Sequence, residues 1–363
     1  MRFYFLPILL VMLAGNFLPA QAAQKKLIEF GWDEPDTTFL RKHVLEMEQT
    51  PFDGYVFHAN YIGMNGVVGN FSWECWGANV FTDAQMKPAL DDLKATHFRK
   101  FTHNFLRFNV APGNVDWFDD FSAILKNARL AGRIAREGKC AGILFDIEHY
   151  AAPIFQYRSR RDAATKSWEV YAAQARRRGR DVMEAFQKDF PNVVIFLTYG
   201  YILPWEQSEA GKKSLADVDY GLLTPFLDGM IEASRPRAII EGCESAYSFK
   251  DTARFAQYHK LMREDLLPMV ANPKKYHEAM SLGFGIWLDY DWRRKGWNTN
   301  ELEKNFYSPK AFEASTREAL KISDEYVWIY TEQPHWWSDS GKPLNLPEAY
   351  IEALRRAHGK PAK

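Results

Sequence analysis

The segment Gly142-Ile143-Leu144-Phe145-Asp146-Ile147-Glu148-His149-Tyr150 sets two carboxylates two residues apart at the end of an apolar run. In an extended strand such positions share a face, so Asp146 and Glu148 point one way while Phe145 and Ile147 point the other. Carboxylates in so apolar a setting are costly unless paired or put to use. Glu332 is a second acid of this kind, sharing its face with Tyr330 and Trp328 at the end of another apolar run. Two carboxyl groups facing one hollow suit glycosidic-bond cleavage. One protonates the leaving oxygen, and the other attacks or activates water. The expected roles are Glu148 as general acid/base, Glu332 as nucleophile or base, and Asp146 as the neighbour that raises the proton affinity of Glu148.

The surrounding residue types fit the same chemistry. Of 12 tryptophans, Trp32, Trp287, Trp292, Trp297, Trp328, Trp336 and Trp337 fall at or just past the ends of apolar runs. Their rings can stack on the apolar faces of sugars, while polar side chains bind hydroxyls. The residues expected to bind substrate are Trp32, Asp33, His58, Asn60, Arg107, Asn109, Tyr199, Glu241, Trp287, Asp289, Tyr330 and Trp336. Asp33, Glu241, Asp289 and also Glu244 could equally hold loop amides. Two loops are expected to wall the cleft: the aromatic-rich one carrying Tyr61, Phe71, Trp73 and Trp76, and residues 292–300.

These residues need elements to position them. Apolar runs at 27–31, 55–59, 105–110, 141–147, 193–199, 238–241, 282–288 and 326–331 alternate with helical patterns. The helical patterns cover 37–48, 83–94, 117–137, 162–189, 213–234, 250–270, 309–322 and 347–357. Strict alternation implies a parallel sheet. Eight units match an α/β fold of the (β/α)8 TIM-barrel type, one domain over residues 23–363 with enlarged βα loops. No glycine-rich dinucleotide or phosphate loop follows a strand. In such barrels the site lies at the C-terminal strand ends, where the acids and tryptophans fall.

Composition agrees. The 46 basic residues balance 46 acidic ones in 363 residues, and 47% are hydrophobic, which argues against disorder and against a basic nucleic-acid-binding face. Residues 1–22 carry Arg2, an apolar run and then Ala20-Gln21-Ala22, the pattern of a cleavable secretory signal peptide. The run is broken by Pro7, Gly15 and Asn16 and is short for a membrane span. A secreted or periplasmic protein, free of the membrane after cleavage, is expected. Cys75, Cys140 and Cys243 are odd in number and form no Cys-x-x-Cys pair, so buried structural thiols are expected.

The strand-four segment is similar to the signature Asp-Gly-x-Asp-x-Asp-x-Glu of the family 18 chitinase-like glycoside hydrolases. Gly142, Asp146 and Glu148 match it, and Ala141 and Leu144 stand at its first two acids. The resemblance implies Glu148 as general acid and Asp146 as the residue that orients a substrate N-acetyl group. More broadly the chain resembles the (β/α)8-barrel glycoside hydrolase superfamily, many of whose families carry an acid/base Glu on strand four and a nucleophile Glu on strand seven. Here strand seven offers Asp289 and Asp291, and no Asn-Glu pair ends strand four, which directs attention to Glu332.

An oligo- or polysaccharide is the expected partner, with no cofactor or metal. Two other functions remain open in the sequence. One is a metal-dependent barrel hydrolase or isomerase with ligands drawn from His58, His103, Asp146, Glu148, His149 and Glu241. It lacks the His-x-His and His-Glu-x-x-His spacings that commonly bind metal. The other is a carbohydrate-binding barrel without catalysis.

Overall fold

The computed structural model describes residues 25–291 and 294–359. The signal peptide expected at residues 1–22 and Trp292 lie outside the described residues. Among these residues the chain forms a (β/α)8 barrel. Its parallel strands are β1 (Lys26–Gly31), β2 (Gly54–Phe57), β3 (Phe105–Asn109), β4 (Gly142–Asp146), β5 (Val194–Leu197), β6 (Ile239–Glu241), β7 (Met280–Leu282 continued by Phe284–Trp287) and β8 (Tyr326–Thr331). The strands pair in chain order, and β8 pairs with β1 in register from Lys26 with Tyr326 to Gly31 with Thr331.

The ring closes through the break in β7. Its first half pairs with β6 and its second half with β8, so the chain steps from one neighbour to the other at Gly283. Gly283 donates its N–H to Glu241 O at 2.8 Å, and a Cβ there would meet Tyr326 O at 2.8 Å. The continuous apolar pattern from 282 to 288 gives no warning of this step.

One main helix follows each strand: α1 (Thr37–Met47), α2 (Asp83–Ala95), α3 (Ser122–Glu137), α4 (Trp168–Asp189), α5 (Leu223–Ala233), α6 (Ala253–Lys260), α7 (Pro309–Ile322) and α8 (Glu348–Ala357). Local signals set their starts. Asp36 caps α1 by accepting from Phe39 N at 2.7 Å, Thr82 and Gln85 form a capping box on α2, and Ser308 followed by Pro309 opens α7. The helical patterns beginning at 117, 162 and 213 start later as true helices, at Ser122, Trp168 and Leu223. The 250–270 pattern divides into α6, a π-turn at Leu261–Asp265 and a short turn at Leu267–Met269.

Two cores result. Ile28, Phe30, Val56, Phe105, Leu144, Phe196, Ile240, Tyr326 and Trp328 fill the barrel interior. A larger shell, including Leu27, Phe57, Leu106, Phe145, Ile195 and Ile329, packs between sheet and helices. This alternation decides which strand-end residues face the mouth. All three cysteines are buried and unpaired, with burial pushing their thiols up, as befits packing residues. No helix among the described residues is long and apolar enough to cross a membrane.

Candidate active site

Phe105 and Leu144 point into the barrel, so Arg107 and Asp146, each two residues on, point into it one layer higher. Arg107 donates from Nη2 and Nε to Asp146 Oδ2 at 2.6 and 3.2 Å, and from Nη1 to Glu34 Oε2 at 2.7 Å. Burial opposes the Arg107 charge, but the Glu34 and Asp146 carboxylates outweigh it and raise its proton affinity above the usual value. Burial likewise opposes ionisation of Glu34, yet Arg107 and His58 hold its carboxyl below the usual range. The guanidinium lies 4.5 Å from the Trp73 ring centroid and 5.1 Å from that of Phe30, a cation–π arrangement that orders the floor. Tyr150 completes it by donating to Asp146 Oδ2 at 3.0 Å.

Above this floor opens a cavity of about 780 Å³ at the C-terminal ends of the strands, a size typical of small-ligand sites. Three carboxyl groups besides Glu34 line it. Glu148 follows β4, where its backbone N–H is held by Asp146 Oδ1 at 3.2 Å. Burial, then the Asp146 charge, raises its proton affinity. Glu244 follows β6. Cys243 before it adopts a left-handed conformation (φ 48°, ψ 64°), uncommon for a residue with a Cβ, and turns the chain so that the Glu244 carboxyl enters the cavity. Tyr247 donates to Glu244 Oε1 at 2.9 Å. Burial, then the Glu148 and Asp146 charges, push Glu244 up to about 8.

Glu332 follows β8 and accepts from Tyr330 at 3.3 Å; burial and then Asp289 raise its proton affinity. Aromatic walls face each other across these acids. Trp73 packs edge-on against Tyr150 at 4.7 Å on one side, and Tyr247 stacks on Tyr330 at 5.5 Å on the other. Trp287 extends the second wall. Trp32, 69% exposed, donates its indole N–H to Tyr330 at 2.9 Å.

Of the residues singled out in the sequence, Glu148, Glu332, Trp32, His58, Arg107, Trp287 and Tyr330 line this cavity, with Asp146 beneath it. The others lie elsewhere, for physical reasons. Asp33 does not line this cavity but the one adjoining it, and accepts from Trp336 N at 2.6 Å. Trp336 is buried edge-on against Phe52. Asn60 donates to Asp36, and Asn109 accepts from Ala111 N. Tyr199 is buried and hydrogen-bonded to Tyr220 at 2.7 Å. Glu241 sits on the outer face of β6, since Ile240 faces inward, and accepts from Gly200 N at 2.5 Å. Asp289 accepts from the backbone N–H groups of Glu332 and Gln333, both at 3.0 Å, and so holds the β8 loop.

Of the two loops expected to wall the cleft, the first contributes Trp73 and Asn70, while Phe71 and Trp76 are core residues. In the second, Trp297 packs on Tyr350 outside the cavity.

Glu34, Tyr150 and Tyr247 are cavity residues that the sequence did not single out, and Glu244 is one that it left even between holding loop amides and taking part in the chemistry. Parity from inward Ile240 turns Glu241 outward, but β1 ends at Gly31 and β6 at Glu241, so the turns after them, the second with left-handed Cys243, and not a period of two, place Glu34 and Glu244.

The candidate metal ligands do not converge. His103 packs near Tyr326 at the opposite end of the barrel, and His149 accepts from Phe155 N at 3.1 Å through Nε2 while stacked on Tyr220. Burial and Arg160 push His149 down to about 4, so its ring is neutral. Among the described residues no three His, Cys, Asp or Glu side chains are grouped as metal ligands.

The sequence matches no family model and no curated protein. Among solved structures it is similar to an exo-β-1,4-mannosidase from an Opitutaceae bacterium, at 11% identity, with 92% of this chain and 60% of that one covered and a TM-score of 0.49. A glucosidase from Croceicoccus marinus is similar at 8% identity, covering 93% and 68%, with a TM-score of 0.48. An endocellulase from Pyrococcus horikoshii in complex with cellotetraose is similar at 12% identity, covering 92% of each chain, with a TM-score of 0.45. These are likenesses in the course of the chain; the barrel itself is established by the strand order above.

Proposed function

We propose that the protein hydrolyses a glycosidic bond in an oligo- or polysaccharide, using Glu148 and Glu244 as the working pair. The single observation that carries this reading is two electrostatically coupled carboxyl groups in one aromatic-walled cavity, one of them holding its proton at neutral pH. Burial and the Glu148 charge push Glu244 up to about 8, which suits it as the proton donor and leaves Glu148, the more exposed of the two, as the carboxylate. The roles are therefore distributed differently from the expectation of Glu148 as acid with Glu332 as partner.

Glu244 gives its proton to the leaving glycosidic oxygen as the bond to the anomeric carbon breaks. The Glu148 carboxylate either bonds to that carbon, to be displaced later by water, or takes a proton from a water that attacks directly. Water ends as hydroxyl on the anomeric carbon, and its other proton returns to the carboxyl pair. Carboxyl separations of about 5–5.5 Å go with retention and about 6.5–9.5 Å with inversion. NMR of the first-formed anomer reads which course is followed. Arg107, bound to Glu34 and Asp146, fixes the floor on which Glu148 stands. The aromatic walls offer faces to pyranose rings. The 1–22 leader supports a secreted or periplasmic location, where such a polymer is met.

The test is release of reducing ends from a panel of polysaccharides by the mature protein, with Glu148→Gln as control. Activity on at least one glycan, abolished in a folded Glu148→Gln protein, is the expected result. No release from any glycan, or full activity in the variant, rejects the reading.

A further inference from the structure

A second cavity, of about 690 Å³, adjoins the first. The two share Trp32, Glu34 and His58, which line both. The outer chamber continues over the start of α1 and the loop after β8, with Lys42 and His43 on one bank and His335 and Asp339 on the other. Trp32 is the most exposed tryptophan at the junction, and its bond to Tyr330 fixes how the indole stands. Beside it, Glu34 Oε1 is buried without a hydrogen bond among the described residues, and His58 Nδ1 lies 3.5 Å from it. Lys42 is exposed and makes no ion pair among the described residues. The junction thus presents a fixed aromatic face next to an acceptor oxygen, and beyond it the Lys42 ammonium, with the His43 ring packed on Phe39 at 4.5 Å and His335 Nε2 3.1 Å from Glu332 O.

We propose that the outer chamber is a binding site for the continuation of the same glycan chain. The chain enters the Glu148/Glu244 cavity at one end, crosses Trp32 by stacking a sugar ring on the indole, and places further units against Lys42, His43 and His335. This rests on the function proposed above and deepens it. The substrate class is a chain of several sugar units rather than a disaccharide, because the acids occupy only one of two continuous chambers. Free energy gained in the outer chamber acts on the reacting bond by holding the chain in place.

The experiment compares one backbone at increasing length, from disaccharide to hexasaccharide, for the wild type and a Lys42→Ala/His43→Ala variant. Both substitutions lie on the surface of α1, where alanine favours helix. The readout is the ratio of kcat/KM on the longest chain to that on the shortest. A ratio of about tenfold or more in the wild type, falling toward one in the variant, is expected; equal rates at every length, or an unchanged ratio in the variant, overturn the proposal. Calorimetric binding of the same series to Glu148→Gln separates this from the catalytic reading. Affinity that grows with length and is lost in a triple variant, with no turnover by the wild type, upholds the outer site and rejects hydrolysis. Absence of length-dependent binding overturns the outer site whatever the rates.

Discussion

Glu244 and Glu148 meet across the barrel mouth from the ends of β6 and β4, and the charge on Glu148 is, after burial, the main reason Glu244 holds its proton up to about pH 8. Neither strand alone creates this. Glu148 stands on the Arg107–Asp146 floor, and Glu244 is turned inward by the left-handed conformation of Cys243.

The coupling has a direct readout. In Glu148→Gln the negative neighbour is gone, so the Glu244 carboxyl should titrate clearly below about 8. Carboxyl-labelled NMR titration of both proteins checks this. An unmoved Glu244 would mean that burial alone sets its proton affinity.

Arg107 bridges two buried acids, Glu34 and Asp146. Replacing it by Met removes the partner of Asp146 and Glu34 together, and breaking a buried pair in this way typically costs about 3–5 kcal/mol. Denaturant unfolding should show a loss of that order. Arg107→Lys should recover part of it, because an ammonium keeps the charge but not the planar contacts to Asp146 and to the Trp73 ring. A loss below about 1 kcal/mol, the range of surface pairs, would contradict the buried network.

Glu241 makes stability depend on pH. Burial pushes it up to about 7 in the folded chain, against an ordinary value near ~4.3 in the unfolded one. The folded state therefore binds the proton more tightly. Its contribution is complete below the unfolded value and is lost as pH rises through about 7. Relative to Glu241→Gln, which keeps an oxygen for the Gly200 N–H, the wild type should lose about 3 kcal/mol between about pH 4 and pH 9. Paired denaturation curves at several pH values measure it, and parallel profiles would refute it.

Much of the barrel was legible from residue pattern. The 326–331 and 309–322 segments form as read, the first from its apolar run and the second from its helical pattern, which Ser308 caps. The alternation that set Asp146 and Glu148 against Phe145 and Ile147 also set the inner core. The step at Gly283 was not legible, because an apolar run looks the same whether it pairs with one neighbour or hands over between two. At the site, Glu148, Arg107 and Tyr330 were found because they lie on or beside strands with a period of two. Asp33 and Glu241 were picked for their charge rather than their parity, and parity places them against backbone amides. Trp73 was read as a cleft wall from its aromatic-rich segment and lines the cavity, whereas Tyr150 and Tyr247 come from irregular segments, whose side-chain directions follow from no period. Cys243 shows the same limit, since cysteine as a residue type gives no sign of a left-handed turn.

The most direct test of the central claim sets Glu244→Gln beside Glu332→Gln on one hydrolysed glycan. Both acids line the same cavity, so the comparison isolates which of them works with Glu148. The account predicts a fall in kcat/KM of about 10²–10⁴-fold for Glu244→Gln, the scale of a lost general acid, and of no more than about tenfold for Glu332→Gln. The reverse order, with Glu244→Gln near wild-type activity and Glu332→Gln inactive though folded, would contradict it.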